Sequence, residues 1–157
     1  MLKNPKWLFA GIISVTVIIL DYITKMAIVE YVTPYEFIDL LPFLRIVHVR
    51  NPGAAFGLFA GVSNYVFIAI YLAAMSMIII YALKLLHGLE LFASALIIGG
   101  ATGNLIDRLT VGKVIDFIDF FIGDWHWPAF NVADSALTVG IIIFLVANLS
   151  LRRHATK

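Results

Sequence analysis

The sequence predicts an all-α membrane protein with four transmembrane helices. Of its 157 residues, 62% are hydrophobic and only 13% are charged, whereas ordinary soluble domains are about 45–50% apolar and about 25% charged. The mean hydropathy of +0.98 agrees with this composition. A water-soluble fold has no interior large enough for so many apolar side chains, so soluble globular and disordered chains are excluded.

Four apolar stretches account for the spans, because a spanning helix needs about 20 mostly apolar residues. The second stretch, residues 65–83, contains no charge at all. The first and third stretches reach spanning length only by including charged residues near their C-terminal ends. We therefore expect a single integral membrane domain over residues 1–157, with spans at about residues 7–29, 64–84, 89–109 and 132–151.

The first stretch has a second interpretation. Lys3 and Lys6 precede a short apolar run, which is also typical of a secretory signal peptide. No small-x-small cleavage site follows that run, which favours a retained spanning helix.

The distribution of Lys and Arg in the flanks predicts the orientation. Once Lys25 and Arg108 are set aside as lying within spans, the remaining cations favour two cytoplasmic termini. Residues 31–63 and 110–131 are then extracytoplasmic loops. The partly alternating, β-branched run 44–50 predicts a strand, with 54–59 as a returning strand. Residues 114–121 are too apolar for water and too acidic to cross a membrane, so we expect them at the interface.

Charged and amide side chains collect at one end of the predicted spans. An ionisable group inside a span costs about 2.5–3.5 kcal/mol on insertion scales, so each is a functional hypothesis. In the predicted topology, four segments bring eight charged and amide residues to the outer interface. These residues are Asp21 and Lys25 in span 1, Asn104, Asp107 and Arg108 in span 3, Asp116 in the second loop, and Asn131 and Asp134 at the start of span 4.

Each of these residues also has a structural interpretation. Asp21 and Lys25 have the i,i+4 spacing of a helical ion pair, and Asn131 would cap span 4 with Asp134 in the first turn. The polar residues of span 3 would snorkel to the interface, with Gly99 and Gly103 as a helix-packing pair. The acids of the second loop, Asp116, Asp119 and Asp124, would be solvated. Only the shared location of these residues favours a functional site.

The residue types present restrict the chemistry. The chain has no Cys, and its four His occur in no His-Glu-x-x-His pattern, so thiol catalysis is excluded and a zinc protease is disfavoured. No Gly-x-Ser-x-Gly motif occurs, and no basic patch suggests nucleic acid. Carboxylates remain, and Asp116 and Asp134 can meet at the base of the second loop. Two close carboxylates share one proton and can activate water without a metal or another cofactor.

Five motifs in order resemble the lipoprotein signal peptidase (signal peptidase II) family. Residues 21–25, Asp-Tyr-Ile-Thr-Lys, resemble its Asp-x-x-Ser/Thr-Lys motif, and residues 51–56, Asn-Pro-Gly-Ala-Ala-Phe, its Asn-x-Gly-Ala-Ala-Phe motif. Residues 99–108 end in Gly-Asn-Leu-Ile-Asp-Arg, similar to its Gly-Asn-x-x-Asp-Arg motif. Residues 114–118 and 130–135 resemble the two segments that carry its catalytic aspartates. The resemblance extends over nearly the whole chain.

The resemblance implies a fold, a reaction and a location. The fold is four transmembrane helices with a small extracytoplasmic β-cradle and a short extracytoplasmic interfacial helix, in the bacterial inner membrane. The reaction is cleavage of diacylglyceryl-modified prolipoproteins just before the lipidated Cys of the lipobox, near the outer face. Membrane phospholipid and cyclic peptide inhibitors of the globomycin type are further implied partners. The implied site residues are Asp116 and Asp134 as catalysts, Asn51, Gly53, Asn104, Arg108 and Asn131 for substrate binding, and Asp21, Lys25 and Asp107 as support.

A small proton- or ion-coupled carrier is the alternative function, because carriers also use carboxylates within the membrane. A carrier needs a polar path across the bilayer. The inner halves of the predicted spans offer little beyond Ser and Thr, which favours the peptidase. A purely structural membrane protein is a third alternative, but it leaves the five motifs unexplained.

Overall fold

The structure is a computed structural model that describes residues 5–53, 61–85 and 88–155. It contains four long helices: α1 (Pro5–Tyr31), α2 (Asn64–Leu85), α3 (Gly88–Thr110) and α4 (Val132–Ala155). All four are long and apolar enough to cross a membrane. Their bounds lie within a few residues of the predicted spans, so the prediction of four membrane helices is confirmed.

Helix α3 is the central helix, and it packs against the other three. Its spanning segment is 67% buried inside the protein, against 22% for α1, 11% for α2 and 17% for α4. Gly103 makes this close packing possible. A Cβ at Gly103 would lie only 2.6 Å from Asp21 Oδ2 and 3.2 Å from the Ala133 Cβ. The predicted glycine pair on span 3 therefore faces neighbouring helices.

Four antiparallel strands form one sheet in the order β1-β2-β3-β4. They are β1 (Phe37–Leu41), β2 (Leu44–Asn51), β3 (Val114–Ile122) and β4 (Trp125–His126). The predicted strand over 44–50 is confirmed as β2. Its neighbours are β1 and β3, whereas the predicted returning strand at 54–59 lies outside the described residues.

Residues 114–121 belong to strand β3, which pairs with β2 although a long stretch of sequence separates them. Their β-branched and aromatic side chains suit a pleated, half-buried surface. The described parts of the two connecting segments contain no short helix. The interfacial helix implied by the resemblance therefore stays a prediction, and residues 54–60 of the first loop lie outside the described residues.

The sheet covers one end of the helix bundle, which we call the sheet end. Ile28 and Val32 of α1 pack there against Ile115 and Phe117 of β3. The buried core of the opposite end is apolar, since Ala82 and Leu91 pack there with Trp7, Ala10 and Phe144. All buried charged side chains among the described residues belong to the sheet end.

Candidate active site

Asp116 is held in the third position of β3 and is only 2% exposed. Its two oxygens accept separate hydrogen bonds, from Asn51 Nδ2 at 2.9 Å and from Asn131 Nδ2 at 2.7 Å. Burial, and secondly the negative charge of Asp134, raise the pKa of Asp116 to about 7. This carboxyl group therefore exchanges a proton near neutral pH.

Asp134 lies in the first turn of α4, where it forms a reciprocal cap with Asn131. Asn131 Oδ1 accepts the Asp134 N–H at 2.8 Å, and Asp134 Oδ2 accepts the Asn131 N–H at 3.3 Å. This is the geometry of a capping box. The Asn104 Nδ2 amide donates to the other oxygen, Oδ1, at 2.8 Å. The capping interpretation of Asn131 and Asp134 is confirmed. The cap holds the Asp134 carboxylate in place, so it is compatible with a functional role for this residue.

A cavity of about 590 Å³ brings Asp116 and Asp134 together. That volume is in the range of small-molecule and peptide pockets. Asn131 connects the two carboxylates behind the cavity wall, because its side chain binds Asp116 and its backbone N–H binds Asp134. Of the predicted site residues, the cavity is lined by Asn51, Gly53, Asn104, Arg108, Asp116 and Asp134.

Asn131 itself is fully buried and uses its side chain entirely within the protein. Besides its bonds to the two aspartates, Nδ2 lies 3.2 Å from both Asn104 Oδ1 and the Ile115 carbonyl oxygen. These contacts fix how far β3 can move from the start of α4.

The predicted supporting residues form a layer directly behind the cavity. Lys25 is 2% exposed, and its Nζ lies 2.7 Å from Asp21 Oδ2, 2.9 Å from Asp107 Oδ2 and 3.1 Å from Asn104 Oδ1. The predicted Asp21–Lys25 ion pair therefore forms, but as part of a network that joins α1 to α3. A third helix is included, because Asp21 Oδ1 accepts the Ala133 N–H of α4 at 2.8 Å.

Arg108 turns inward and does not snorkel. Its Nη1 donates to the Pro52 carbonyl oxygen at 3.1 Å and to Asn64 Oδ1 at 3.2 Å, while Nη2 donates to the Gly53 carbonyl oxygen. Its guanidinium carbon lies 4.1 Å from the centroid of the Phe67 ring. Arg108 thus anchors the turn after Asn51, the residue that holds Asp116. Its Nε has no hydrogen-bond partner among the described residues.

Asp119 is not a solvated loop acid. It is 5% exposed, and its Oδ2 accepts from Arg45 Nε at 2.7 Å and contacts His126 Nδ1 at 3.0 Å. Arg45 and Asp119 are direct partners in the β2–β3 register. Asp124, by contrast, is exposed, as expected. The Asp119 contacts could be found only by knowing which strands pair, because no local motif contains both residues.

The sequence analysis also missed several cavity residues. Tyr71 of α2 lines the cavity, as do residues 127–130 between β4 and α4 and Leu137, Thr138 and Val139 on α4. Their side chains carry no unusual charge, so only their position marks them. No group of three or more His, Asp or Glu that could hold a metal ion occurs among the described residues.

Comparison with known proteins agrees with this architecture. The sequence model of the Signal peptidase (SPase) II family matches residues 13–150. A lipoprotein signal peptidase from Thermodesulfovibrio yellowstonii is 44% identical over 133 residues, which are 85% of this chain and 89% of the relative. Another from Burkholderia thailandensis is 44% identical over 149 residues, 91% of this chain and 89% of the relative.

Two solved structures share the fold. Both are described as bacterial membrane enzymes determined by the in meso method, at 2.3 Å and 1.9 Å resolution. The first has a TM-score of 0.85 and 34% sequence identity, covering 90% of this chain and 88% of its own. The second has a TM-score of 0.82 and 35% identity, covering 90% and 92%. From the match over most of its length, the chain belongs to the signal peptidase II family, whose members are membrane peptidases.

Proposed function

We propose that this protein is a membrane aspartic endopeptidase that removes the signal peptide from diacylglyceryl-modified prolipoproteins. The cut falls just before the lipidated Cys of the lipobox. The relatives named as lipoprotein signal peptidases support the substrate class. The observation that carries the catalytic type is the cavity in which Asp116 of β3 and Asp134 of α4 face the same space.

The reaction uses the two carboxyl groups as one acid and one base. The ionised carboxylate takes a proton from water, and the water oxygen attacks the scissile carbonyl carbon. The protonated carboxyl donates its proton to the carbonyl oxygen, which forms a neutral tetrahedral intermediate. When the C–N bond breaks, the nitrogen of the lipidated Cys takes the proton that the base received from water and leaves as an amine. One hydroxyl of the intermediate gives its proton to the other carboxylate, so the new carboxyl group forms and the pair again holds one proton. The pKa of Asp116, raised to about 7, suits a group that must hold a proton near neutral pH.

The surrounding polar residues divide into two roles in this proposal. Asn51, Asn104 and Asn131 hold the carboxylate oxygens, because each of them donates directly to Asp116 or Asp134. Arg108 shapes the turn at Gly53 and lines the cavity. As a cation on the cavity wall, Arg108 is assigned to binding of the substrate peptide or the lipid ester.

The cavity is mostly apolar beyond its polar base, with Leu137 and Val139 of α4 among its walls. Such walls suit the acyl chains of the substrate and the apolar half of a signal peptide. Membrane phospholipid would fill the cavity between turnovers, and cyclic peptide inhibitors of the globomycin type would compete for it. Substrate would enter laterally from the bilayer, because a diacylglyceryl anchor keeps the scissile bond near the headgroups.

We place the sheet end at the outer face of the inner membrane, with both termini in the cytoplasm. This orientation rests on the Lys and Arg of the flanking segments. It also brings the carboxylates to the level at which a lipid-anchored substrate presents its bond. No observation favours the carrier alternative, because the buried charges of the described residues collect at one end of the bundle.

The decisive test is cleavage of a diacylglyceryl-modified lipobox peptide by the purified protein, compared with the same peptide without lipid. We expect cleavage of the lipidated peptide just before Cys, and little or none of the unmodified one. Asp116→Asn and Asp134→Asn serve as the inactive controls. Equal cleavage of both peptides would overturn the substrate proposal, and active control variants would overturn the aspartic mechanism.

A further inference from the structure

The residue before each proposed catalytic aspartate donates its backbone N–H to a buried carboxylate on another element. Before Asp134, the N–H of Ala133 donates to Asp21 Oδ1 at 2.8 Å. Asp21 belongs to α1 and is 1% exposed. The start of α4 is thereby tied to α1 at the position adjacent to Asp134.

The same arrangement holds Asp116. Before it in β3, the N–H of Ile115 donates to Asp107 Oδ2 at 3.0 Å. Asp107 belongs to α3 and is 7% exposed. The strand is thereby tied to α3 at the position adjacent to Asp116.

One cation joins the two ties. Lys25 Nζ lies 2.7 Å from Asp21 and 2.9 Å from Asp107. Its third contact is Asn104 Oδ1 at 3.1 Å, so its three N–H groups are matched by three acceptors. Because Asn104 Oδ1 faces Lys25, the amide nitrogen of Asn104 faces Asp134, and Nδ2 donates to Asp134 Oδ1 at 2.8 Å.

We propose that Asp21, Lys25 and Asp107 form a positioning clamp that sets the spacing of the two reacting carboxylates. The clamp touches neither the substrate nor the reacting atoms. It acts through the backbone N–H groups of Ala133 and Ile115, which directly precede the two aspartates, and through the side-chain amide of Asn104, which donates to Asp134. This role rests on the aspartic mechanism proposed above.

A clamp and a simple charge effect make different predictions for the pH dependence of cleavage. The charge of Lys25 alone acts on both carboxylates in the same direction, so its removal moves both limbs of the rate profile to higher pH. The spacing of the carboxylates instead sets their mutual repulsion, which varies inversely with distance. That repulsion sets the difference between the two apparent pKa values of the pair, which define the acid and alkaline limbs of the rate profile. If the carboxylates move apart, the two pKa values approach each other and the pH range of activity becomes narrower.

The test compares the wild-type protein with Lys25→Met and Asp107→Ala in the cleavage assay with lipidated peptide, across pH. Folded protein is quantified separately by size-exclusion chromatography and thermal unfolding. Asp107→Ala removes the acceptor of the Ile115 N–H but leaves Lys25 with Asp21 and Asn104. Asp107→Asn keeps an oxygen acceptor at that position and is the conservative variant. Asp124→Ala, at an exposed acid, is the matched control.

We expect Asp107→Ala and Lys25→Met to lower kcat of the folded protein up to about 10²-fold, the effect of a misplacement near 1 Å. KM should stay within about twofold, because the clamp does not contact substrate, and the profile should narrow. Asp107→Asn should recover part of kcat and of the width. If Lys25→Met does not fold, the two Asp107 variants decide the question.

Two results would overturn the clamp. One is a profile that moves along the pH axis at unchanged width, which assigns Lys25 to electrostatics alone. The other is a loss of folded protein with normal kcat and width in what remains, which assigns the network to stability alone. Either result, obtained while wild-type cleaves and Asp116→Asn and Asp134→Asn do not, leaves the proposed function intact.

Discussion

Helices α2 and α3 both qualify as membrane spans, yet α2 is mostly exposed on the surface of the bundle and α3 is mostly enclosed by the rest of the protein. Helix α2 has a mean hydropathy of 2.5, and only 11% of its spanning segment is buried. Helix α3 has a lower hydropathy of 1.5, and 67% of its segment is buried. Toward its C-terminal end, α3 carries Asn104, Asp107 and Arg108, all buried.

The difference shows what a membrane protein can build at the centre of a small bundle. A lipid-facing helix must be apolar throughout, because lipid offers no partner for a polar group. A helix enclosed by others can carry charges if each one finds a partner. Here Asp107 pairs with Lys25 of α1, and Arg108 bonds to the turn after β2 and to Asn64, the first residue of α2.

The largest expected effect lies at the polar end that α3 supports. Asp116→Asn and Asp134→Asn should each lower kcat by roughly 10³-fold or more, since removal of a general acid or base typically costs about 10²–10⁴-fold. The folded, membrane-inserted protein should remain. Cleavage assays should be run beside Asp124→Asn, which should stay near wild type. Near-normal turnover of either variant would contradict a catalytic role for the polar end, and with it the functional difference between α2 and α3.

The pH dependence of the wild-type protein should give the next largest effect. Because burial raises the pKa of Asp116 to about 7, its protonated fraction falls as pH rises through that value. If one shared proton is required, kcat/KM, which reports the substrate-free enzyme, should fall about tenfold per pH unit well above pH 7. A rate that stays flat from pH 7 to 9, at constant folded fraction, would contradict this assignment.

Arg108→Gln tests the contact between α3 and the turn after β2. Loss of the bonds to the Pro52 and Gly53 carbonyls should loosen that turn and raise KM about tenfold, the loss of about 1.4 kcal/mol of binding. The limbs of the pH profile should stay in place, because the charged residues that act most strongly on the pKa of Asp116 are Asp134 and Lys25. A shifted limb at unchanged KM would instead give Arg108 an electrostatic role.

Matched small-to-larger substitutions on the two helices should differ in stability. In Gly103→Ala on α3, the added Cβ meets Asp21 and Ala133, and such overpacking costs about 1–3 kcal/mol. Ala74→Val on the exposed side of α2 should change the free energy of unfolding by less than about 0.5 kcal/mol. Thermal unfolding in detergent measures both, and equal effects would show that α3 packs no more tightly than α2.

The smallest expected effect is that of metal chelation. EDTA or phenanthroline should leave cleavage unchanged, because the proposed mechanism takes its base and its acid from carboxyl groups. A loss of activity that one defined metal restores would count against the aspartic mechanism and against the whole polar end as proposed.

The helices and the identity of most polar site residues were predictable from the sequence. Long apolar runs are unfavourable in water. A charge inside such a run is easily recognised as a candidate site residue, because its insertion into the membrane costs free energy. The same reasoning failed for Asp119, because its partner Arg45 lies on another strand and the pairing is non-local. Tyr71 was missed for a related reason, since nothing in an apolar helix shows which residue faces a cavity.

Only the tertiary structure decided how the polar residues are connected. Asp21 and Lys25 are an ordinary i,i+4 pair in the sequence, but the fold adds Asp107 and Asn104 to them and links the network to the residues before both aspartates. Local spacing determines neighbours along one helix. Which helix faces another, and which strand closes over them, depends on packing summed over the whole chain. Composition and periodicity therefore determined the membrane helices and the end at which the charges collect, while the packing of α3 between its neighbours decided which atoms of those charges meet.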